Sequence, residues 1–196
     1  MSDRENQIIS AALKLFFRYG MGRTTMNDIA REAGMSRQTV YAAFANKEDL
    51  LRAATRYLAD QTVTDLTSGF ADAQNVRQKL DVIFESIAAK HFALVCNSPE
   101  ADDVISGFNS ACKVELSESA QRYKALIASE LQPYAANIAQ AGMTIEHLAE
   151  YVWRMTKALK YEAEDERHLR ALWQIQRTLL LQLLAPGEAE IKTEIL

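Results

Sequence analysis

Residues 25–51, TMNDIAREAGMSRQTVYAAFANKEDLL, decide how the chain is read. They spell a short helix, a tight turn, a second short helix and the start of a third. Counting from Met26, Ala30 falls at the fifth position, Gly34 at the ninth and Val40 at the fifteenth. Two short helices that cross steeply need a small residue where they touch, and Ala30 supplies it. The turn needs a residue that accepts positive φ, and Gly34 has no Cβ to oppose it. Val40 can plug the second helix back onto the first, with Ile29 beside it. Helix starts are marked too. Thr25 caps the first helix, with Asp28 completing a short capping box; Ser36 caps the second and Asn46 the third. Glu48 and Asp49 in the third helix's first turn suit its dipole. An ordinary αα-hairpin shares the glycine turn, but not three caps with Ala, Gly and Val at these offsets. The unit is therefore a helix-turn-helix, a form that lays its second helix in the major groove of DNA.

Outward from that unit the chain reads as all-α. Its 196 residues carry few breakers, seven Gly and three Pro, and apolar positions recur at three and four rather than alternating. No apolar run approaches the roughly 20 residues that span a bilayer. The N-terminus, MSDRENQIIS, has acids and amides where a secretory signal is basic and then apolar. A cytoplasmic protein with no membrane partner is expected, and Cys96 and Cys112 read as reduced, buried thiols or, less simply, as a redox pair. His91, His147 and His168 stand apart from one another and from both cysteines, so no metal site and no cofactor are expected. No nucleophile–base pair, phosphate-binding glycine loop or carboxylate pair appears, which argues against an enzyme.

The net charge of −4 conceals a split. Residues 1–56 hold nine Lys and Arg against six acids, a balance of +3, which leaves −7 for the remainder. Phosphate attraction needs local positive charge rather than a basic whole.

Residues 4–19 form a first helix with Ile8, Ile9, Ala12, Leu13, Phe16 and Phe17 on one face, closing a small core with Ile29, Val40 and Phe44. The helix from Lys47 runs to about residue 67 and bridges to a second domain. Val76–Cys96 reads as one helix, and Ser98-Pro99 opens a short one through Phe108. A long helix over about 110–141 is kinked or divided by Pro133. In the next helix, from Thr144 to about Glu162, Ile145, Leu148, Val152, Met155 and Leu159 recur as a coiled-coil-like seam. The last, Asp165 to about Ala185, is apolar around most of its circumference, through Leu172, Ile175, Leu179 and Leu183 among others. A helix apolar on all sides must be buried on two. These nine residues predict half of a four-helix interface between two copies of the chain; the alternative is a central core helix of a monomer. Predicted boundaries are 1–52 for the helix-turn-helix domain, 53–187 for the second helical domain and 188–196 for a tail.

With these motifs in place, the chain resembles the TetR family of bacterial transcriptional regulators. The resemblance rests on Phe16 to Gly20 (F-x-x-x-G), Thr24-Thr25, Asp28 to Gly34 (D-I-A-x-x-A-G), Ser36 to Phe44 (S-x-x-T-x-Y-x-x-F) and Asn46 to Leu51 (N-K-E-x-L-L). It departs at Ala42 and Ala43, where the family often has polar or aromatic side chains. It implies an all-α homodimer whose acidic C-terminal domain takes a small-molecule effector. The implied pocket would draw on Phe84, Ile87, His91, Phe108, Tyr123 and Trp153, with His91 and Tyr123 as polar anchors; plain core packing is the competing reading for each.

Arg37, Gln38 and Thr39, at the start of the second helix, are the candidates for base readout, since Arg matches guanine and Gln adenine bidentately. A phosphate contact by Arg37 remains an equal alternative. Thr25, Ser36, Tyr41 and Lys47 are the candidates for phosphate contacts, Tyr41 by the resemblance and Lys47 by its charge and its free helix-start N–H. The expected function is a repressor that binds a double-stranded palindromic operator as a homodimer and is released by an effector; control by a protein partner, or activation, is the alternative.

Overall fold

The computed structural model describes residues 2–96 and 100–185, and every regular element among them is helical. The order is α1 (Asp3–Tyr19), α2 (Met26–Glu32), α3 (Arg37–Ala43), α4 (Lys47–Asp72), α5 (Val76–Phe84), α6 (Lys90–Cys96), α7 (Ala101–Ala111), α8 (Lys113–Leu131), α9 (Ala135–Gln140), α10 (Ile145–Glu162) and α11 (Glu166–Leu184). The expected all-α class is the observed one. The start of the short helix at Ser98-Pro99 and the tail from residue 188 fall outside the described residues, as does the side chain of Cys96, while the body of that short helix is α7.

Two compact units emerge from the packing. The first comprises residues 1–61 and 94–119, and the second 62–93 and 120–196. The division differs from the expected boundary at residue 52, because α7 and the start of α8 pack with the N-terminal helices. Periodicity along the chain does not report such a return.

The first unit is built on Ile8, Ile9, Phe16, Ile29, Val40, Leu50 and Leu51, with Cys112 and the half-buried Phe108 added from the later segment. Ser2 caps α1 in a full capping box with Glu5. Gly34, at φ 64°, closes α2. Its N–H donates to the Arg31 carbonyl (3.1 Å), and the Met35 N–H reaches the Ala30 carbonyl (2.9 Å). These two bonds satisfy the helix's last carbonyls, and only a left-handed residue can make the pair. Cys112 is a free, buried thiol, and burial pushes its pKa up, as suits a packing residue.

The second unit closes over Leu66, Leu80, Phe84, Ile127, Ile138, Val152, Leu169, Trp173 and Leu184. Phe84 stacks on Trp173 at 4.9 Å between ring centroids. Trp173 Nε1 donates to Asp81 (2.9 Å), which also holds Arg177 (2.7 Å). Gly69 lets α4 lie close to α5, for a Cβ there would press into Val82. The expected single helix over 76–96 is interrupted by a π-helical turn at Glu85–Ala89. Pro133 does divide its helix, through a 3₁₀ turn at Gln132–Tyr134.

The seam on α10 needs a correction. Leu148, Val152 and Leu159 are buried inside this chain's own core, so they are not free to meet a second copy. Ile145, Leu172 and Leu183 are partly buried against the same core. The residues left outside are Met155 (40% exposed), Ile175 (62%) and Leu179 (59%), with Tyr151 (49%) beside them. Sequence spacing marks a helix face as apolar without saying which of two neighbours covers it.

Candidate nucleic-acid interface

The turn between α2 and α3 holds the reading helix by its first residue. Ser36 Oγ accepts the Thr39 N–H (3.1 Å) and lies 2.8 Å from Thr39 Oγ1. Val40 fixes the other face in the core, fully buried. What remains outward is Arg37 and Gln38, both exposed, and Tyr41, 40% exposed. The Arg37 guanidinium lies 5.3 Å from the Tyr41 ring centroid, so the ring holds the cation over the start of the helix without neutralising it. Thr39 is half-buried, and its hydroxyl already has Ser36 as a partner. Ala42 is exposed and Ala43 half-buried, which leaves the far half of α3 without long polar side chains.

The candidate phosphate contacts separate into kinds. Thr25 Oγ1 accepts the Asp28 N–H (3.2 Å) and bonds Asp28 Oδ2 (2.6 Å), so its hydroxyl serves the cap. The Thr25 hydroxyl and the Thr25 backbone N–H (3.1 Å) both donate to the Asp28 carboxylate and, with Arg31 nearby, hold it below its usual range. Lys47 Nζ donates to the Met21 and Thr24 carbonyls (2.5 and 3.2 Å), bracing the loop between α1 and α2. Its ammonium is therefore engaged inside the unit, and the backbone at the start of α4 is what it can offer an anion.

Most other cations of this unit are also engaged. Lys14 pairs with Glu32 (2.5 Å), Arg31 with Asp28 (2.6 Å), Arg52 with Glu48 (3.4 Å), Arg56 with Glu115 (2.9 Å) and Arg23 with Glu100. A cleft of about 510 Å³ lined by Arg18, Arg23, Arg31, Asp28, Glu32 and Glu100 is thus balanced in charge rather than basic. Arg37 has no acidic partner among the described residues. A capped helix-turn-helix presenting one free arginine and one glutamine at the start of its second helix defines a DNA-binding transcriptional regulator.

Comparison with known proteins agrees. Residues 8–54 match the model of bacterial regulatory proteins of the tetR family. Over 186 residues the chain is 25% identical to the HTH-type transcriptional repressor ComR of Escherichia coli (strain K12), covering 88% of this chain and 85% of that protein. It is 35% identical over 91 residues to YuxN, an uncharacterized HTH-type transcriptional regulator of Bacillus subtilis (strain 168), where the match spans 44% of this chain and 31% of the relative's length. The fold matches a putative transcriptional regulator from Pseudomonas aeruginosa PAO1 with a TM-score of 0.71 at 20% identity, over 94% of this chain and 91% of that one. Residues 8–54 are thus a helix-turn-helix domain of the kind found in bacterial regulatory proteins of the tetR family. No helix among the described residues is long and apolar enough to cross a membrane.

The six residues named for an effector pocket do not all share one unit. Phe108 packs in the first unit, against the core of α1–α4. The other five belong to the second, where Phe84 and Ile87 are buried and Tyr123 and Trp153 half-buried. Phe84 is committed to its stack on Trp173. His91 keeps its place as a polar candidate: its Nδ1 is buried and meets no hydrogen-bond partner. Burial, with Lys160 and Lys90 alongside, pushes the imidazole down to about 4, against weaker opposing pulls from Asp65 and the Ile87 backbone. Lys160 is the residue sequence reading passed over. It is half-buried without an acidic partner among the described residues, and burial, helped by Lys157, lowers its pKa to about 8. The signal was present in the sequence: residues 151–161, YVWRMTKALKY, hold three cations and no acid inside an otherwise acidic region.

Proposed function

We propose that this regulator is a repressor that grips a palindromic operator as a homodimer and lets go when a small molecule binds its second unit. The observation that carries the dimer is the apolar face left uncovered by the chain's own core, with Ile175 62% and Leu179 59% exposed on one helix and Met155 and Tyr151 on the neighbouring one. A pair of helices with such a face is what a second copy would complete. Two copies related by a two-fold axis present two reading helices, which fit half-sites about one turn of DNA apart, roughly 34–36 Å. The repressor sense is supported by the likeness to ComR, a transcriptional repressor that aligns over most of both chains. In each half-site Arg37 and Gln38 read bases, with Thr39 as a third candidate, while Thr25, Ser36, Tyr41 and the start of α4 at Lys47 meet phosphates.

Release follows if an effector favours a dimer whose half-site spacing is wrong, a coupling typically of about 1–3 kcal/mol. Selection of bound DNA from a random pool tests the first half, and an inverted repeat is the expected product. A single asymmetric site would remove the dimeric reading. Operator affinity that no small molecule changes, but that a protein partner does, would favour the alternative of control by a partner.

A further inference from the structure

The second unit contains positive groups that the fold does not neutralise. Trp153, Lys157 and Lys160 lie four and three residues apart, so one face of α10 carries all three. Lys124 and Lys157 lie 5.8 and 5.5 Å from the Trp153 ring centroid, and Lys160 lies 5.0 Å from that of Tyr161. Lys124 has Glu150 within electrostatic reach, and Lys90 is paired with Asp65 at 2.5 Å. Lys157 and Lys160 have no such partner among the described residues. The π-helical turn at Glu85–Ala89 packs on α10 and leads directly into the turn that carries His91. Turns of this kind widen a helix locally and often accompany binding sites. His91 Nδ1 is buried with no partner at good hydrogen-bond geometry, only the Ile87 backbone one turn earlier within weak reach, and the imidazole sits close enough to Lys160 to feel its charge. A buried polar atom without a partner is destabilising, so a fold that keeps one beside an unpaired ammonium is arranged for something that arrives.

We propose that Lys160 and His91 receive the carboxylate of a small organic acid, whose apolar body lies along Ile87, Phe92 and Trp153. An anion answers the ammonium, and one oxygen of it can accept from an imidazole N–H. Ile87 and Phe92, four residues before His91 and one after it, belong to the buried apolar core of the second unit, which favours a hydrocarbon or aromatic body over a small hydrated anion. This rests on the effector reading above and gives it a chemical class.

The test compares binding of hexanoate, octanoate, decanoate, benzoate and phenylacetate with that of their primary amides, by calorimetry on the full chain. At least one acid is expected to bind about 10- to 100-fold more tightly than its amide, the range of a hydrogen bond to a charged group. Lys160→Met, which keeps the side-chain stem, should erase that preference, while Lys160→Arg and Lys90→Met should retain it. An unliganded melting temperature for each variant shows that it folds. At pH 8 binding should take up a fraction of a proton, because the anion restores the lysine's basicity. Equal affinity for acid and amide, binding by neither, or a preference that survives Lys160→Met overturns the proposal. Operator release is read separately. An acid held by Lys160 that leaves operator affinity unchanged keeps the site and removes the effector role. Release driven equally by amides removes the carboxylate site and keeps the effector.

Discussion

The two units treat their charges differently. In the first, five cations are matched by acids, Lys47 is bound to carbonyls, and Arg37 is left to the solvent beside Tyr41. In the second, Arg177, Arg170, Lys79 and Lys90 have carboxylates, while Lys160 and His91 are withdrawn from water without one. A free cation on an exposed surface is inexpensive and can wait for a polyanion such as DNA. A free cation partly withdrawn from water is destabilising until an anion answers it. The same deficit of partners thus has two meanings, and burial distinguishes them.

Phe16→Ala should have the largest effect, about 3–5 kcal/mol of stability, because the ring is fully buried in the first unit's core. Urea unfolding would measure it, and DNA binding should fall only where folding does. A loss under 1 kcal/mol would show that this core can collapse around the gap.

Acid should then weaken the second unit through His91. Its folded pKa of about 4 lies below the ordinary 6.5, so the unfolded chain takes up a proton first as pH falls. The stability held by the neutral ring is present above pH 6.5 and is lost between 6.5 and 4, on the order of 2–3 kcal/mol at most. His91→Gln should flatten that limb of the profile, and an unchanged profile would contradict a buried neutral imidazole. Lys160 works at the other end: its folded pKa of about 8 lies below 10.5, so stability should rise as pH climbs from 8 toward 10.5.

Arg37→Ala should leave unfolding unchanged and cost about 1–3 kcal/mol in operator binding, with relaxed preference at one base position. A uniform loss on all sequences would mark a phosphate contact. The smallest expected effect is that of Thr25→Ala, about 1 kcal/mol of stability from the lost cap of α2. A larger loss in DNA binding than in stability would show that the hydroxyl also serves phosphate.

Much of this was legible in sequence because it is local. The caps at Thr25, Ser36 and Asn46 and the glycine turn each depend on residues three to five apart, and the Val40 plug on Ile29 and Ala30 within about a dozen. The return of α7 to the first unit and the coverage of Leu148, Val152 and Leu159 depend on partners far along the chain. The π turn at Glu85–Ala89 is silent in the sequence because the five residues ESIAA carry no breaker. Lys47 looked like a DNA contact because its charge is readable and the carbonyls that hold it are not. Phe108 looked like pocket lining because an aromatic residue does not announce which core it joins.

The alanine at position 42 has a further consequence. It is exposed on the reading helix, whereas Ala43 is half-buried, so one site on that helix stands blank and tolerant. For anyone who would redirect the regulator to a new promoter, that blank is where vocabulary can be added. A long polar side chain placed there would add another exposed donor or acceptor beside Arg37 and Gln38 without disturbing the core.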